Sequence, residues 1–171
     1  MDDLSLDIYT ERSYFPNNLK SYRSYYEHTC ENSDILLLGI YDNQSGKHIG
    51  NISFQHINWI NRNASINYML GDKEFTGKGI TTQACLMLMY YGFHKLNFER
   101  IWAGVSEAHF ASLRVLQKAG LVEEGKKRKH ILRQGKYYDV IMMGAIREEW
   151  IEKFGDLARS YFRNPKEIFP E

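Results

Sequence analysis

Apolar positions along the chain fall into two regimes. Ile35 to Tyr41 (ILLLGIY) is a nearly continuous apolar run of strand length, and His48 to Ile57 alternates in part. The turn cluster Asp42-Asn43-Gln44-Ser45-Gly46 between them predicts an antiparallel hairpin. A further turn, Asn58 to Asn63, leads into a third strand over Ala64 to Leu70. Ahead of this meander the chain is polar and aromatic, with helical spacing around Leu19, Tyr22, Tyr25 and Tyr26 that breaks at Ser33 and Asp34.

The second regime begins at Gly71. A loop rich in charge and glycine runs to Gly79, and Thr81 to His94 follows with the apolar centre ACLMLMYY. A helix of that composition is buried on more than one side. Arg100 to Ser106 predicts a strand, and His109 to Ala119 a helix closed by Gly120 as a left-handed C′ residue. Leu121 to Leu132 and Tyr137 to Ile146 flank the turn Arg133-Gln134-Gly135-Lys136 as a last hairpin. A charged helix covers Arg147 to Tyr161, and Pro165 and Pro170 mark a tail. The strand–loop–helix–strand unit in the middle is a right-handed crossover, which makes its two strands parallel in an otherwise antiparallel sheet. Ligands of open α/β units gather at the carboxyl ends of such strands. Chemistry is therefore expected at Met69 to Thr82, with Val105 to Ser112 opposite.

Composition narrows the function. Twenty-two Lys+Arg against twenty-one Asp+Glu leave a formal charge of +1. A protein held to nucleic acid or anionic lipid by charge is more basic than this, so neither partner is expected. No apolar run is long enough for a bilayer span. The opening Met-Asp-Asp-Leu-Ser-Leu-Asp has no secretory apolar stretch, and Cys30 and Cys85 offer no disulfide framework, which together predict a cytoplasmic protein. His28, His48, His94 and His130 have no metal-ligand spacing, and neither HExxH nor CxxC occurs, so no metal is expected. At about 150 residues per domain, residues 1–150 read as one domain and 151–171 as a C-terminal helix and tail.

The strongest local signal is Thr76-Gly77-Lys78-Gly79-Ile80-Thr81-Thr82, between a strand and the buried helix. Its glycines permit positive φ and close approach of a ligand, and the first N–H groups of a helix point outward with the positive end of its dipole. Such a terminus binds phosphate, with Thr81 and Thr82 as further donors and Lys78 as a nearby charge. Alternatively the glycines only turn the chain. No G-x-x-x-x-G-K-[ST] exists, and Gly77-x-Gly79-x-x-Thr82 lacks the third glycine of the dinucleotide fingerprint, with Glu107 as its possible ribose partner. Nucleotide binding is a remote alternative.

Gly71 to Ala84 resembles motif A of the GNAT N-acetyltransferases, and His109-Phe110-Ala111-Ser112 with Gln117-Lys118-Ala119-Gly120-Leu121 is similar to their Asn-x-x-Ser…Lys-x-Gly-Phe segment. The ending, Gly125 to His130, Asp139-Val140 and Arg147 to Trp150, is similar to the branch of ribosomal-protein N-terminal, spermidine and amino-sugar acetyltransferases. The resemblance implies a GNAT fold of the α/β (α+β) class: a mixed, mostly antiparallel sheet of six to seven strands, a splayed central parallel pair and flanking helices. It implies acetyl-CoA as co-substrate, its pyrophosphate on residues 76–82 and its pantetheine between the splayed strands. It also implies a backbone N–H for the thioester carbonyl at a bulge near Met69 and Leu70, and contacts from His109 and Ser112. Several family positions differ: Thr76 and Thr81 in the loop, His109 for asparagine, and Ser65 where many relatives carry an acid. The initial strand and helix usual in the family are not evident before residue 20.

Acetyl transfer to an amine needs a neutral nucleophile, a polarised carbonyl and groups that move protons. Ser112 is the candidate for protonating the departing thiolate. His56, at the end of the second strand beside Trp59, and Tyr68, on the third, are candidates for the base, with Asp72, Glu74, Tyr137 and Tyr138 behind them. For the acceptor, relatives with a stretch similar to Asn58-Trp59-Ile60-Asn61-Arg62 suggest an amino sugar, nucleotide-linked; a protein N-terminal amine and a polyamine are alternatives. Lys126-Lys127-Arg128-Lys129 is either a contact for an acidic ligand or the solvated edge of a hairpin. The apolar stripe of the last helix packs on its own domain or across a homodimer. A non-catalytic acyl-CoA-binding or interaction module is the reading of another class.

Overall fold

The computed structural model describes residues 19–163. A helix α1 (Leu19–Glu31) precedes three antiparallel strands, β1 (Leu36–Tyr41), β2 (His48–Asn58) and β3 (Asn63–Leu70). A short 3-10 turn, Lys73–Phe75, leads into α2 (Ile80–His94), β4 (Arg100–Ser106) and α3 (Phe110–Lys118). The hairpin of β5 (Val122–Arg133) and β6 (Lys136–Ile146) and a last helix α4 (Arg147–Ser160) complete the order. Pro165, Pro170 and the segment before residue 19 lie outside the described residues.

The six strands form one sheet in the order β1-β2-β3-β4-β6-β5, with β3 and β4 parallel and every other pair antiparallel. This is the predicted α/β class with a mixed, mostly antiparallel sheet, and the element boundaries fall within a residue or two of those read from the hydrophobic pattern. One feature was not legible: Asp72 accepts the Glu74 amide at 2.9 Å and starts the 3-10 turn inside the glycine-rich loop.

The core lies between one face of the sheet and α2. Alternate residues Ile52 and Phe54 of β2, Ala64 and Ile66 of β3 and Ile101, Ala103 and Val105 of β4 are buried against it. The helix buries Cys85, Leu86, Leu88, Met89, Tyr90 and Phe93, more than a single stripe, because α4 covers the side the sheet does not. Trp150 carries that second contact. It is 1% exposed, meets Phe93 at a ring separation of 5.2 Å, and its indole N–H donates to the Ala119 carbonyl at 2.7 Å. Trp150, Ile151 and Phe154 of the α4 stripe, with Tyr161 at its end, therefore pack on the core while Leu157 is exposed, and the helix runs unbroken across residue 150.

Gly120 ends α3 at φ +90°, as its position after the helix predicts. A Cβ there would sit 2.6 Å from the Phe154 ring and 2.8 Å from Trp150. Left-handed strain of about 1–2 kcal/mol and overpacking of about 1–3 kcal/mol then add. Gly120→Ala is expected to lower the unfolding free energy in urea by at least about 2 kcal/mol; a midpoint equal to wild type would show that α4 does not bear on the turn.

Candidate functional site

The site follows from how far β3 and β4 stay together. They pair over three positions only, Asn63 with Arg100, Ala64 with Ile101 and Ser65 with Trp102. Beyond this point β3 stays with β2 as far as Leu70, and β4 stays with β6 as far as Ser106. The two halves of the sheet diverge. A cleft of about 1140 Å3 fills the gap, lined by 66–70 of β3, 103–106 of β4 and 109–117 at α3.

The parting exposes backbone. The Arg62 carbonyl accepts the Glu99 amide at 2.7 Å, on the β4 side, whereas the Gly71 amide donates to the Ile49 carbonyl at 2.9 Å, on the β2 side. Strand alternation between those points turns the amides of Ile66, Tyr68 and Leu70 toward the cleft. No bulge is needed. Register with β2 is unbroken from Ser65 to Leu70, so the bulge expected near Met69 and Leu70 is absent from β3; the irregularity lies on β2, between Gln55 and Asn58.

At its mouth the cleft meets the α2 N-terminus. A recess of about 130 Å3 there shares Gly77, Thr81, Arg114 and Val115 with the cleft and adds Gly79, Ile80, Thr82 and Lys118. Gly77 and Gly79 sit at φ +79° and +81°, a region glycine enters at no steric cost. The first helical bond of α2 runs from the Gln83 amide to the Gly79 carbonyl, and no side chain caps the helix. The amides of Ile80, Thr81 and Thr82 are thus presented outward. Arg114 and Lys118, four residues apart on α3, put two cationic side chains beside them. Neither was identified as a site residue from sequence, although their spacing already places both on one helix face. Lys78 was, but its ammonium lies 5.0 Å over the Phe75 ring and does not line the recess.

Inside the cleft, the Tyr68 hydroxyl lies 2.7 Å from Ser112 Oγ and 3.1 Å from the Ser112 carbonyl, to which it donates. Burial pushes the Tyr68 phenol far above its ordinary range, so the group stands protonated in the resting site. His109 lines the cleft, and burial lowers its pKa, which favours the neutral ring. Met69 and Thr76 lie at the exposed margin, and Leu70 is half-buried against the core.

The remaining candidates stand elsewhere. Asp72 pairs with Lys47 at 2.6 Å, and that bond together with the Glu74 amide holds its carboxyl below the usual range. Glu107 accepts the Asp139 amide at 3.0 Å. Lys126 to Lys129 are exposed on β5, the edge strand, and the Tyr138 ring lies under Lys136 at 5.1 Å. Asn58 to Arg62 forms the turn at the closed end of the β3–β4 pair: Trp59 donates to the Ser33 carbonyl at 3.2 Å, and Arg62 meets Glu99 at 3.0 Å. His56 lies on the other face of the sheet, its Nδ1 3.1 Å from Ser65 Oγ and its ring stacked on Trp102 at 6.0 Å. Among the described residues no cluster of His, Cys, Asp and Glu could hold a metal, and no helix is long and apolar enough to cross a membrane.

Comparison with known proteins gives a family-model match, "Acetyltransferase (GNAT) domain", over residues 5–122. The probable N-acetyltransferase YjcK of Bacillus subtilis is 38% identical over 115 residues, 67% of this chain and 63% of that protein. The putative ribosomal N-acetyltransferase YdaF of the same organism is 34% identical over 61% of this chain and 57% of that protein. The chain thus spans under two thirds of the length of these two relatives. Among solved structures, spermidine N-acetyltransferase from Vibrio cholerae, in complex with CoA and spermine, superposes with a TM-score of 0.73 at 22% identity, covering 80% of this chain and 79% of that one.

Tyr68 also marks the pH dependence of folding. Its phenol is protonated in the folded state well above 10.0, where the unfolded chain's tyrosine ionises. The stabilisation from its buried neutral form is therefore fully present below about pH 10 and is lost as pH rises beyond it. Tyr68→Phe is expected to unfold in urea with a shallower loss of stability between about pH 9.5 and 11 than wild type. Parallel pH curves for the two proteins would contradict the burial of that hydroxyl.

Proposed function

This chain belongs to the GNAT acetyltransferase family, and from that premise we propose that it transfers an acetyl group from acetyl-CoA to a primary amine. The observation that carries the reading is the continuity of three features: an open strand edge, a glycine-bearing helix N-terminus and two flanking cations. A donor that is anionic at one end and amide-bearing along its arm matches them in order. The pyrophosphate of acetyl-CoA would accept from the 80–82 amides, with Arg114 and Lys118 beside it. The pantetheine amides would pair with the open β3 edge, where strand alternation turns the amides of Ile66, Tyr68 and Leu70 toward the cleft. The thioester then reaches the apex of the cleft, where the amides of Ile66 and Tyr68 can polarise its carbonyl.

The amine nitrogen attacks the thioester carbon, the C–N bond forms, and the C–S bond breaks as the tetrahedral centre collapses. The departing thiolate needs a proton. Tyr68 and Ser112, hydrogen-bonded at 2.7 Å and lining the cleft, form the donor pair for it.

The acceptor approaches from the sheet face opposite α2 and α3, where β2, β3 and β4 present Ser53, Gln55, His56, Ser65, Asn67 and Trp102. Among the described residues of that face the carboxylate beside Trp102 is Glu124, and Arg100 already neutralises it. A neutral, hydrogen-bonding face with one indole suits an amine on a neutral polar body, such as an amino sugar or a peptide terminus, better than a polycation. The stretch Asn58 to Arg62 lends the amino sugar no support, because it is engaged at the closed end of the strand pair. Polyamine acetylation draws its support from the spermidine acetyltransferase among the superposed structures.

Acetyl-CoA at about 100 times its dissociation constant should stabilise the chain by roughly 2.7 kcal/mol in thermal unfolding. Thiol release with a nucleotide-linked amino sugar, a peptide with a free N-terminus and spermidine then sorts the acceptors. Arg114→Ala with Lys118→Ala is expected to weaken CoA binding about 10- to 100-fold, from two lost charge-assisted contacts. Stabilisation without thiol release for any amine would return the non-catalytic binding module; no stabilisation by acetyl-CoA or CoA would remove the donor site.

A further inference from the structure

The other face of the cleft's apex holds a hydrogen-bonded group that the donor site does not use. Ser65 and Trp102 form the last pair before β3 and β4 diverge, and one side chain of β2 spans both. His56 places Nδ1 3.1 Å from Ser65 Oγ and stacks its ring on Trp102, with a centroid separation of 6.0 Å and an interplanar angle of 27°. It reaches across because its backbone leaves the strand: His56 sits at φ +50° in the irregularity between Gln55 and Asn58. A non-glycine residue in that conformation is uncommon and gathers at functional sites.

The network around Ser65 fixes which imidazole nitrogen is free. Its hydroxyl donates to the Gln55 carbonyl at 3.0 Å, so Oγ can only accept from its other partners. One is the Asn67 amide NH2 at 3.1 Å, and the other is His56. Nδ1 therefore carries the proton and Nε2 the lone pair. Nε2 has no partner among the described residues, and the ring is exposed on the face where the acceptor enters. Ser65 itself is 4% exposed, so the anchor of this arrangement is buried while the basic nitrogen is not.

We propose that His56 Nε2 is the proton acceptor for the amine, with Ser65 as the residue that positions it; this rests on the acetyltransferase reading above. The incoming ammonium gives one proton to Nε2, directly or through one water, and becomes a neutral nucleophile. Its nitrogen then bonds to the thioester carbon. As the C–S bond breaks, the sulfur takes a proton from the Tyr68–Ser112 pair; the nitrogen loses its second proton to water in the cleft, and water returns one to that pair. The imidazolium returns its proton to solvent. The two proton-moving groups thus stand on opposite faces of one opening in the sheet, and a carboxylate on β3 is unnecessary. Around the ring, Ser65, Asn67 and Gln55 do not titrate, nor does Trp102. The charged groups on this face of the next strands, Arg100 of β4 and Glu124 of β5, are closed on each other in an ion pair.

His56→Asn is the test, since asparagine tolerates the positive φ and offers no basic nitrogen. With acetyl-CoA and the acceptor found in the amine panel, kcat is expected to fall about 100-fold or more near neutral pH, with the KM for acetyl-CoA unchanged. The loss should shrink as pH rises and the amine deprotonates on its own, and added imidazole should restore rate. Ser65→Ala should lower kcat less and leave the imidazole response small. A variant within threefold of wild type from about pH 6 to pH 9 would overturn the proposal, as would a pH-independent loss that imidazole does not relieve. A wild-type chain that acetylates none of the amines would overturn the underlying reading and the proposal with it, and is distinguished by the wild-type rate alone.

Discussion

Everything in the site depends on a parallel strand pair that stops after three positions. A parallel ladder carried to the ends of both strands would satisfy every backbone group between them and leave no cleft. Here the antiparallel partners win instead: β2 holds β3 in unbroken register to Leu70, and β6 holds β4 to Ser106. Right-handed twist accumulates differently in the two halves once they are no longer paired. The amides of Ile66, Tyr68 and Leu70 are then left facing an opening, and buried backbone groups without partners are costly. A ligand that brings its own amides completes that edge, so fold stability and ligand binding become linked.

The same economy appears in how an anionic donor can be held by a nearly neutral chain. A formal charge of +1 gives little long-range field. On the proposed reading, local donors would do the holding: outward amides at the α2 N-terminus, reached through two glycines at positive φ, and Arg114 with Lys118 from α3. The run at 126–129, the densest positive charge in the sequence, lies on the sheet's edge strand. Charge density along the sequence and charge density at the site are different quantities, and only the fold relates them.

Much of this architecture was legible before any coordinates. Long apolar runs such as Ile35 to Tyr41 and an all-round apolar stretch such as Ala84 to Tyr91 admit one secondary structure each once the turns are placed. The crossover rule then made β3 and β4 parallel and pointed to residues 69–82. Three things were not legible, each because it depends on how the folded chain places its neighbours. Lys78 reads as a neighbour of phosphate, and the place of its ammonium over the Phe75 ring becomes visible only in the fold. The stretch Asn58 to Arg62 reads as an acceptor determinant, and the contacts of Trp59 with Ser33 and of Arg62 with Glu99 become visible only in the fold. His56 looked like the end of a strand; its reach to Ser65 and Trp102 depends on a left-handed residue that alternation does not reveal.

Hydrogen exchange with and without CoA addresses the parted strands most directly. If the open edge of β3 holds the donor, CoA will slow exchange at the amides of Ile66, Tyr68 and Leu70 and at those of Ile80, Thr81 and Thr82, and will leave the β5 edge unchanged. Slowing confined to β5, or none at residues 66–70, would contradict the account.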